Sequence, residues 1–417
     1  MKQNFIQKNV YFDPEKNSGK IKVEKLCQLI SQHPYKEAIF DTFNVNEIKD
    51  DVIRIDYIDN IYEKVKHYNE NYNRSSIFAQ VKDINVYEEE KRIGDEIEKN
   101  ITFEFEEYVD IDEVKNDLKA TAIYDSKNTY LDEYEMTKYA NNLFKIGLSG
   151  WANENIKYFK NLAQINSDYN KHRSYRLVEH EGQIYLRGIT STTNYYEYGV
   201  DFTFVVSMLI LHINMKANKG IEYGIKSCAL NESKLDLIVS EKYKKDAGAF
   251  GKVSVAIKIS TNDLGQGALN FSNIINVGHI DENGFYLYPK KSEIENNKLK
   301  INHNTKPENV LPALNDMDSI LNTSDKFIEE LNSVKTIKTP DELRMKILGK
   351  IENPRSSFKG IKKLADIFSR KIDNEISSFV KLLEMCNKAE ELDIEFDLKD
   401  KLRYIISDII LYGNTKN

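Results

Sequence analysis

One stretch constrains this chain more than any other: residues 202–215, read as Phe-Thr-Phe-Val-Val-Ser-Met-Leu-Ile-Leu-His-Ile-Asn-Met. A surface helix shows one apolar stripe, whereas this segment is apolar almost all round and needs cover on several sides. It falls short of the roughly 20 residues that cross a bilayer. It is therefore expected as a buried core helix, and no membrane association is expected. Asp201 stands where a capping carboxylate belongs, and Asn218 and Gly220 mark the end.

The segments around it supply the cover. Tyr175, Leu177, Ile184 and Leu186 flank His180-Glu181-Gly182, which reads as a hairpin turn. Strands are predicted over 221–230 and 235–240, broken by Asn231-Glu232-Ser233. Residues 252–260 alternate, with Val253, Val255, Ile257 and Ile259 inward and Lys252, Ser254 and Lys258 outward. Strands at 269–277 and 285–288 continue the sheet. The expected fold is α+β: a central antiparallel-dominated sheet over about 174–289 with the buried helix on its apolar face, followed by a C-terminal helical bundle.

Four regions follow. Residues 1–130 read as an acidic mixed α/β region, with a helix over 20–31 (Val23, Leu26, Cys27 and Ile30 on one stripe) and a half-exposed strand at Ile101, Phe103 and Phe105. The acidic runs Glu88-Glu89-Glu90 and Asp95-Glu96 read as a solvated face or loop. Residues 131–290 form the central domain, opening with helices at 136–144 and 153–163. Residues 291–307, rich in Asn, Lys and Glu, read as a linker. Residues 308–417 read as a helical module touching the sheet over a limited interface. Its start signal is Thr339-Pro340-Asp341-Glu342: threonine at the cap, proline at the first helical position and glutamate at the third.

Charge separates these regions. Residues 51–150 carry 13 basic and 23 acidic groups, while 151–310 carry 20 and 17. A polyanion would have to engage the middle or the C-terminal part. The N-terminus lacks the apolar core of a secretory signal. Three scattered cysteines, Cys27, Cys228 and Cys386, suit a reducing cytoplasm. The seven histidines show no HxH, HExxH or HxxxH spacing, so no metal site is expected, and no cofactor. Leu264-Gly265-Gln266-Gly267-Ala268-Leu269 lacks both the third glycine of a dinucleotide fingerprint and the GK[ST] of a P-loop. It reads as a connection between two strands. No GxSxG elbow is present, and no catalytic residue is assigned.

Nucleic-acid binding has the best positive signal. The segment 241–252 combines Lys242, Lys244, Lys245 and Lys252 with Tyr243 and Phe250. Lysines neutralise phosphates, and an exposed ring stacks on an unpaired base, which favours single strands. A second basic patch holds Arg355, Lys359, Lys362, Lys363, Arg370 and Lys371. Tyr195-Tyr196-Glu197-Tyr198 reads as half core and half surface.

Residues of about 136–277 resemble a phage/plasmid-like protein family, a domain family of unknown function. The matching order begins with Met136-Thr137-Lys138-Tyr139-Ala140 and a break at Gly147. It continues with Tyr175-Arg176-Leu177-Val178, then Arg187-Gly188-Ile189-Thr190-Ser191 followed by tyrosines. It ends with a buried helix and Asn262-Asp263-Leu264-Gly265-Gln266-Gly267-Ala268-Leu269. The resemblance implies an α+β domain carried by a mobile element in a bacterial cytoplasm, and it brings no activity. The function expected is that of a non-enzymatic accessory protein of a phage, plasmid or related element, associated with nucleic acid in replication, recombination or their control. The alternative is a protein-interaction or assembly component, a virion or host-directed factor, with a protein partner or a homo-oligomer as the partner expected. It would act through an exposed apolar stripe on helices around Ile376–Met385 and Leu402–Leu411.

Overall fold

Burial of the central helix organises the molecule. The computed structural model describes residues 5–93, 96–265, 267–277, 284–288, 298–314, 339–369 and 376–413. The expected core helix runs Gly199–Ala217, and every residue from Gly199 to His212 is buried. Asp201 does not cap it. Tyr198 holds the cap position, and the Asp201 carboxylate accepts instead from the Phe202 N–H (3.1 Å) and pairs with Arg74.

In chain order the strands are β1 (Lys8–Asn9), β2 (Lys20–Lys22), β3 (Val52–Asp56), β4 (Asn73–Gln80), β5 (Ile84–Ile93), β6 (Glu96–Asp110), β7 (Glu113–Ala122), β8 (His172–His180), β9 (Gln183–Thr190), β10 (Tyr223–Leu230), β11 (Lys234–Glu241), β12 (Lys245–Asp246), β13 (Lys252–Asn262), β14 (Ala268–Val277), β15 (Phe285–Leu287) and β16 (Lys298–Asn302). They make two sheets. The larger runs β15-β14-β13-β11-β10-β3-β2, with β1 beside β10, β12 beside β13 and β16 beside β14. It is antiparallel except where β3 and β10 meet, Tyr223 opposite Ile55.

The side chains of a strand alternate between faces, and here both faces are covered. Leu235, Leu237, Val239, Ile257 and Ile259 join the central helix in one core. Ile238, Ala256 and Ile274 point the other way, to Tyr286 and Tyr288. On that side Ser407 Oγ accepts from the Tyr288 N–H (2.9 Å) and Asp400 holds Lys258 (2.6 Å), so helix Phe396–Tyr412 is seated there. Ser254 and Lys258, expected outward, are buried for this reason.

The second sheet closes into a five-stranded barrel with its own core, including Phe103, Phe105, Tyr175 and Leu177. β4 and β5 are one interrupted strand: β4 pairs with β8, β5 pairs with β6, and the contact of Phe78 with Val109 closes the ring. β7 and β9 run parallel, Thr121 opposite Tyr185. Counting 73–93 as the first barrel strand, the order is 1-2-3-5-4 returning to 1, with helices between the third and fourth. This is the Greek-key arrangement of an OB fold. The hairpin 172–190 thus belongs to the barrel and not to the sheet around the central helix, and Glu88-Glu89-Glu90 sit in a strand and not in a loop. Lys99 Nζ lies 3.3 Å from Glu88 and 3.0 Å from Glu90, compensating those charges across the ladder.

The expected boundaries also shift. Of the stretch read as a linker, 298–302 is β16, paired with β14 (Ile301 opposite Leu269); 291–297 lie outside the described residues. Helix Pro307–Leu314 places Val310 and Leu314 in the core of the central helix, not in the C-terminal module. The stretch read as a helix over 20–31 is β2, then helix Val23–Cys27 and a 3-10 turn Gln28–Ile30, with the predicted stripe buried. Helices Pro340–Glu352, Lys362–Phe368, Phe379–Glu390 and Phe396–Tyr412 follow. The first carries the complete capping box between Thr339 and Glu342. Their core includes Leu343, Ile347, Leu382 and Ile406 together with Val253, Ile275, Phe285 and Leu287 of the sheet. The helices therefore share a core with the sheet and do not touch it over a limited interface.

Candidate functional site

The lysine-rich segment 241–252 is a built hairpin. Lys245 and Asp246 of β12 pair with Val253 and Lys252, and a 3-10 turn, Gly248–Phe250, returns the chain. Ala247 N–H donates to the Gly251 carbonyl (2.8 Å), and Gly251 supplies the left-handed residue at φ +72° that the turn requires. Lys242 lies 2.9 Å from Asp56 and 3.6 Å from Glu222, which raise its pKa against a burial effect of opposite sign. Lys244 and Lys245 are half-buried, and Lys252 is exposed at the start of β13. Tyr243 is 66% exposed.

Phe250 corrects the expectation of two stacking rings. It is 4% exposed, with its ring 5.5 Å from that of Phe379, and is unavailable to a base. A ring at a turn gains more by entering an adjacent apolar cluster than by staying in water. It enters the cluster that also holds Phe358, Leu364 and Phe368. Those residues belong to the segment that carries Lys359, Lys362 and Lys363, all exposed, with Arg355 exposed beside them. The two basic segments, about a hundred residues apart in sequence, thus rest on one hydrophobic core. Arg370 and Lys371 lie outside the described residues.

A second constellation joins barrel to sheet, built from residues that carry no site assignment in the sequence reading. Arg187 projects from β9 and is 1% exposed. It donates to Glu197, to Ser233 Oγ (3.0 Å) and to the Leu177 carbonyl (3.3 Å). The other Glu197 oxygen lies 3.5 Å from Arg176, which also donates to Ser76 Oγ (2.8 Å) and lies over the Tyr195 ring. Arg74 pairs with Asp201 at 3.1 Å, and Asn69 bridges them. Burial alone would raise the Glu197 carboxyl; Arg187, Arg176 and Arg74 outweigh it and hold it well below the usual carboxylate range. Asp263 is moved the other way, up, by burial and then by Glu197, against His303 and Arg187.

Backbone closeness makes this joint possible. A Cβ on Gly188 would stand 3.2 Å from the Leu264 carbonyl oxygen, so the glycine lets β9 approach the turn after β13. The Asp263 N–H donates to the Ser233 carbonyl (3.0 Å) in the same place. The segments beginning at Arg187 and Asn262, which carried the sequence resemblance, meet here. Tyr195 stacks on His303, whose two ring nitrogens face the carbonyls of Tyr196 (2.8 Å) and Asn262 (3.0 Å). A cleft of about 710 Å³ opens beside the joint, lined by His33, Asn69, Arg74, Glu197 and Asp201 among others. The charged groups lining it pair with one another, so the joint acts as a clamp, and the buried Asp263 carboxylate behind them has His303 at 3.6 Å.

The signal that could have revealed Arg187 is its place among Tyr185, Leu186 and Ile189, a charge inside an apolar strand. Among the described residues no group of three or more His, Cys, Asp or Glu is placed to hold a metal ion. The three cysteines are buried, and burial pushes the Cys27 thiol up to about 12.

Fold and clamp together define an α+β protein in which an OB-type barrel is locked by buried arginines onto a sheet covered on both faces. Comparison with protein-family models, with characterised proteins and with solved structures finds no match to this chain.

Proposed function

We propose that this protein associates with nucleic acid, single strands favoured, as a non-enzymatic accessory protein of a phage, plasmid or related mobile element. One observation carries the binding reading: the hairpin with Tyr243 and Lys252 and the segment with Lys359, Lys362 and Lys363 are held on a single apolar core. That gives exposed cations and an exposed ring on segments packed on a common core, the side-chain types that backbone tracking and base stacking use. The mobile-element setting rests on the sequence resemblance of 136–277.

The barrel is a poor alternative surface for the same ligand. OB folds bind oligonucleotides on their second and third strands. Here β6 and β7 carry 8 acidic groups against 3 lysines, which repels phosphates. The protein-interaction reading through the C-terminal helices loses its expected stripe, because Leu382, Leu383, Leu402, Ile406, Ile409 and Ile410 are buried.

The test is a salt titration of binding to single-stranded DNA, duplex DNA and RNA. Contact by Lys252, Arg355, Lys359, Lys362 and Lys363 implies a log–log slope near −3.5 for a single strand, at roughly 0.7 per phosphate. Replacing Lys359, Lys362 and Lys363 by alanine lowers that slope by about two. Tyr243→Ala costs roughly 1–3 kcal/mol and leaves the slope alone. An unchanged slope in the triple variant removes the basic end from the account, and no binding at low salt removes the function.

A further inference from the structure

Large apolar side chains left in water are not spread evenly over this molecule. Tyr139, Ile146, Leu148, Trp151, Tyr158 and Ile165 are all exposed within one short stretch of chain on the outside of the barrel. Most of it is helix Ser149–Ile165, which buries Ala152, Ile156, Lys160 and Ala163. Its outer side follows a heptad. Leu148, Asn155 and Leu162 take one position and Trp151, Tyr158 and Ile165 the other, at alternating spacings of three and four. Trp151, Tyr158 and Ile165 are 66%, 63% and 84% exposed. A seam of this kind is what a second helix packs against, and contiguous exposed patches of this sort mark interaction sites.

We propose that a second copy of this chain covers this seam, its helix Ser149–Ile165 running antiparallel. The seam is self-complementary in that direction: Leu148 faces Ile165, Trp151 faces Leu162 and Asn155 faces Tyr158, and a twofold axis repeats each layer. Each large side chain meets a smaller one, as interdigitating layers require. A parallel pair would instead set Trp151 on Trp151 and Tyr158 on Tyr158. Aromatic side chains bury 150–250 Å² each. Six seam residues on each copy therefore remove roughly 1,200 Å² in all, the lower edge of the range for stable interfaces. The dimer is expected to dissociate at roughly micromolar concentration.

Trp151 is the chain's single tryptophan, so its emission reports this seam alone. Sedimentation of the full chain from about 0.1 to 100 µM should show the 48.5 kDa monomer giving way to a dimer. Trp151 emission should move to the blue over the same range. Tyr158→Glu and, separately, Ile165→Glu should abolish both changes while circular dichroism and Tm stay as in the parent. The two positions are exposed, and one folded variant suffices. The paired variant Leu148→Cys, Ile165→Cys should form an inter-chain disulfide on mild oxidation. Leu148→Cys alone should not, because its two copies would stand about 25 Å apart. The native cysteines are buried and do not interfere. A monomer at about 100 µM, a dimer that survives both charge variants, or a blue shift seen only on adding anionic phosphatidylserine vesicles would each overturn the proposal.

Discussion

Removing either half of the Arg187–Glu197 pair should destabilise the protein, and by unequal amounts. Arg187 is 1% exposed, so its charge has no access to water when the partner is lost. Breaking a buried pair from one side costs about 3–5 kcal/mol, mostly because a charge is left uncompensated. The two truncations leave different remainders. In Arg187→Met, Glu197 still has Arg176 at 3.5 Å and Ser233 Oγ still donates to Glu232 (2.9 Å), while the Leu177 carbonyl loses the Arg187 donor. A loss near the low end, about 3 kcal/mol, is expected. In Glu197→Gln, Arg187 and Arg176 lose their shared carboxylate while Arg74 keeps Asp201. Two guanidiniums then face each other across a neutral amide, and the loss should reach about 5 kcal/mol. The double variant should cost less than the sum, with a coupling of roughly 2 kcal/mol. Urea unfolding followed by circular dichroism at pH 7 measures all three. Acid provides the control: the Glu197 pKa is lowered in the fold. Its contribution is therefore complete above the unfolded value of about 4.3 and fades as pH falls through the folded value. Equal losses for the two single variants, or strict additivity, would refute the clamp.

Two further expectations rest on other parts of the molecule. Burial pushes the Asp236 carboxyl up to about 6, despite Lys258 and the Gln7 amide. A raised acid penalises the fold above its folded pKa, and the penalty is gone below the unfolded value of about 4. Asp236→Asn should therefore remove a component of up to about 2–3 kcal/mol from the change in unfolding free energy between pH 4 and 7; an unaltered pH profile would contradict the assignment. Thr339→Ala removes the acceptor for the Glu342 N–H (3.3 Å) and should lower stability by about 1 kcal/mol, read as a shift in urea midpoint at constant m.

The central helix could be read from sequence because uniform apolarity leaves a segment of that length nowhere to go but inside. Residues 252–260 were equally plain, since alternation is a local property. Partner choice is not local. The hairpin 172–190 alternates in the same way whether it joins β10 or closes a barrel through β4 and β7. The barrel was hidden further by cross-strand pairs such as Lys99 with Glu88, which let an acidic run form a strand. Phe250 was misread because an aromatic at a lysine-rich turn suits stacking and anchoring alike, and only Phe379 decides between them. Arg187 went unrecognised because its partners are Glu197, close in sequence, and Ser233, brought near only by the docking of barrel on sheet.

The parallel pairing of β3 with β10 sets an order of events during synthesis. Residues 57–222, the whole barrel and central helix among them, form the connection between those two neighbours. β3 leaves the ribosome early and cannot find its partner until residue 223 has been made, on the order of ten seconds later at ~5–20 residues per second. During that wait the barrel is already complete in sequence and has its own core. It is equipped to fold first, while β1–β3 stay exposed to whatever else offers a strand edge. The nascent chain is thus most open to mispairing at β1–β3, a hazard that a ribosome-bound holdase would relieve and that refolding of the released polypeptide would not reproduce.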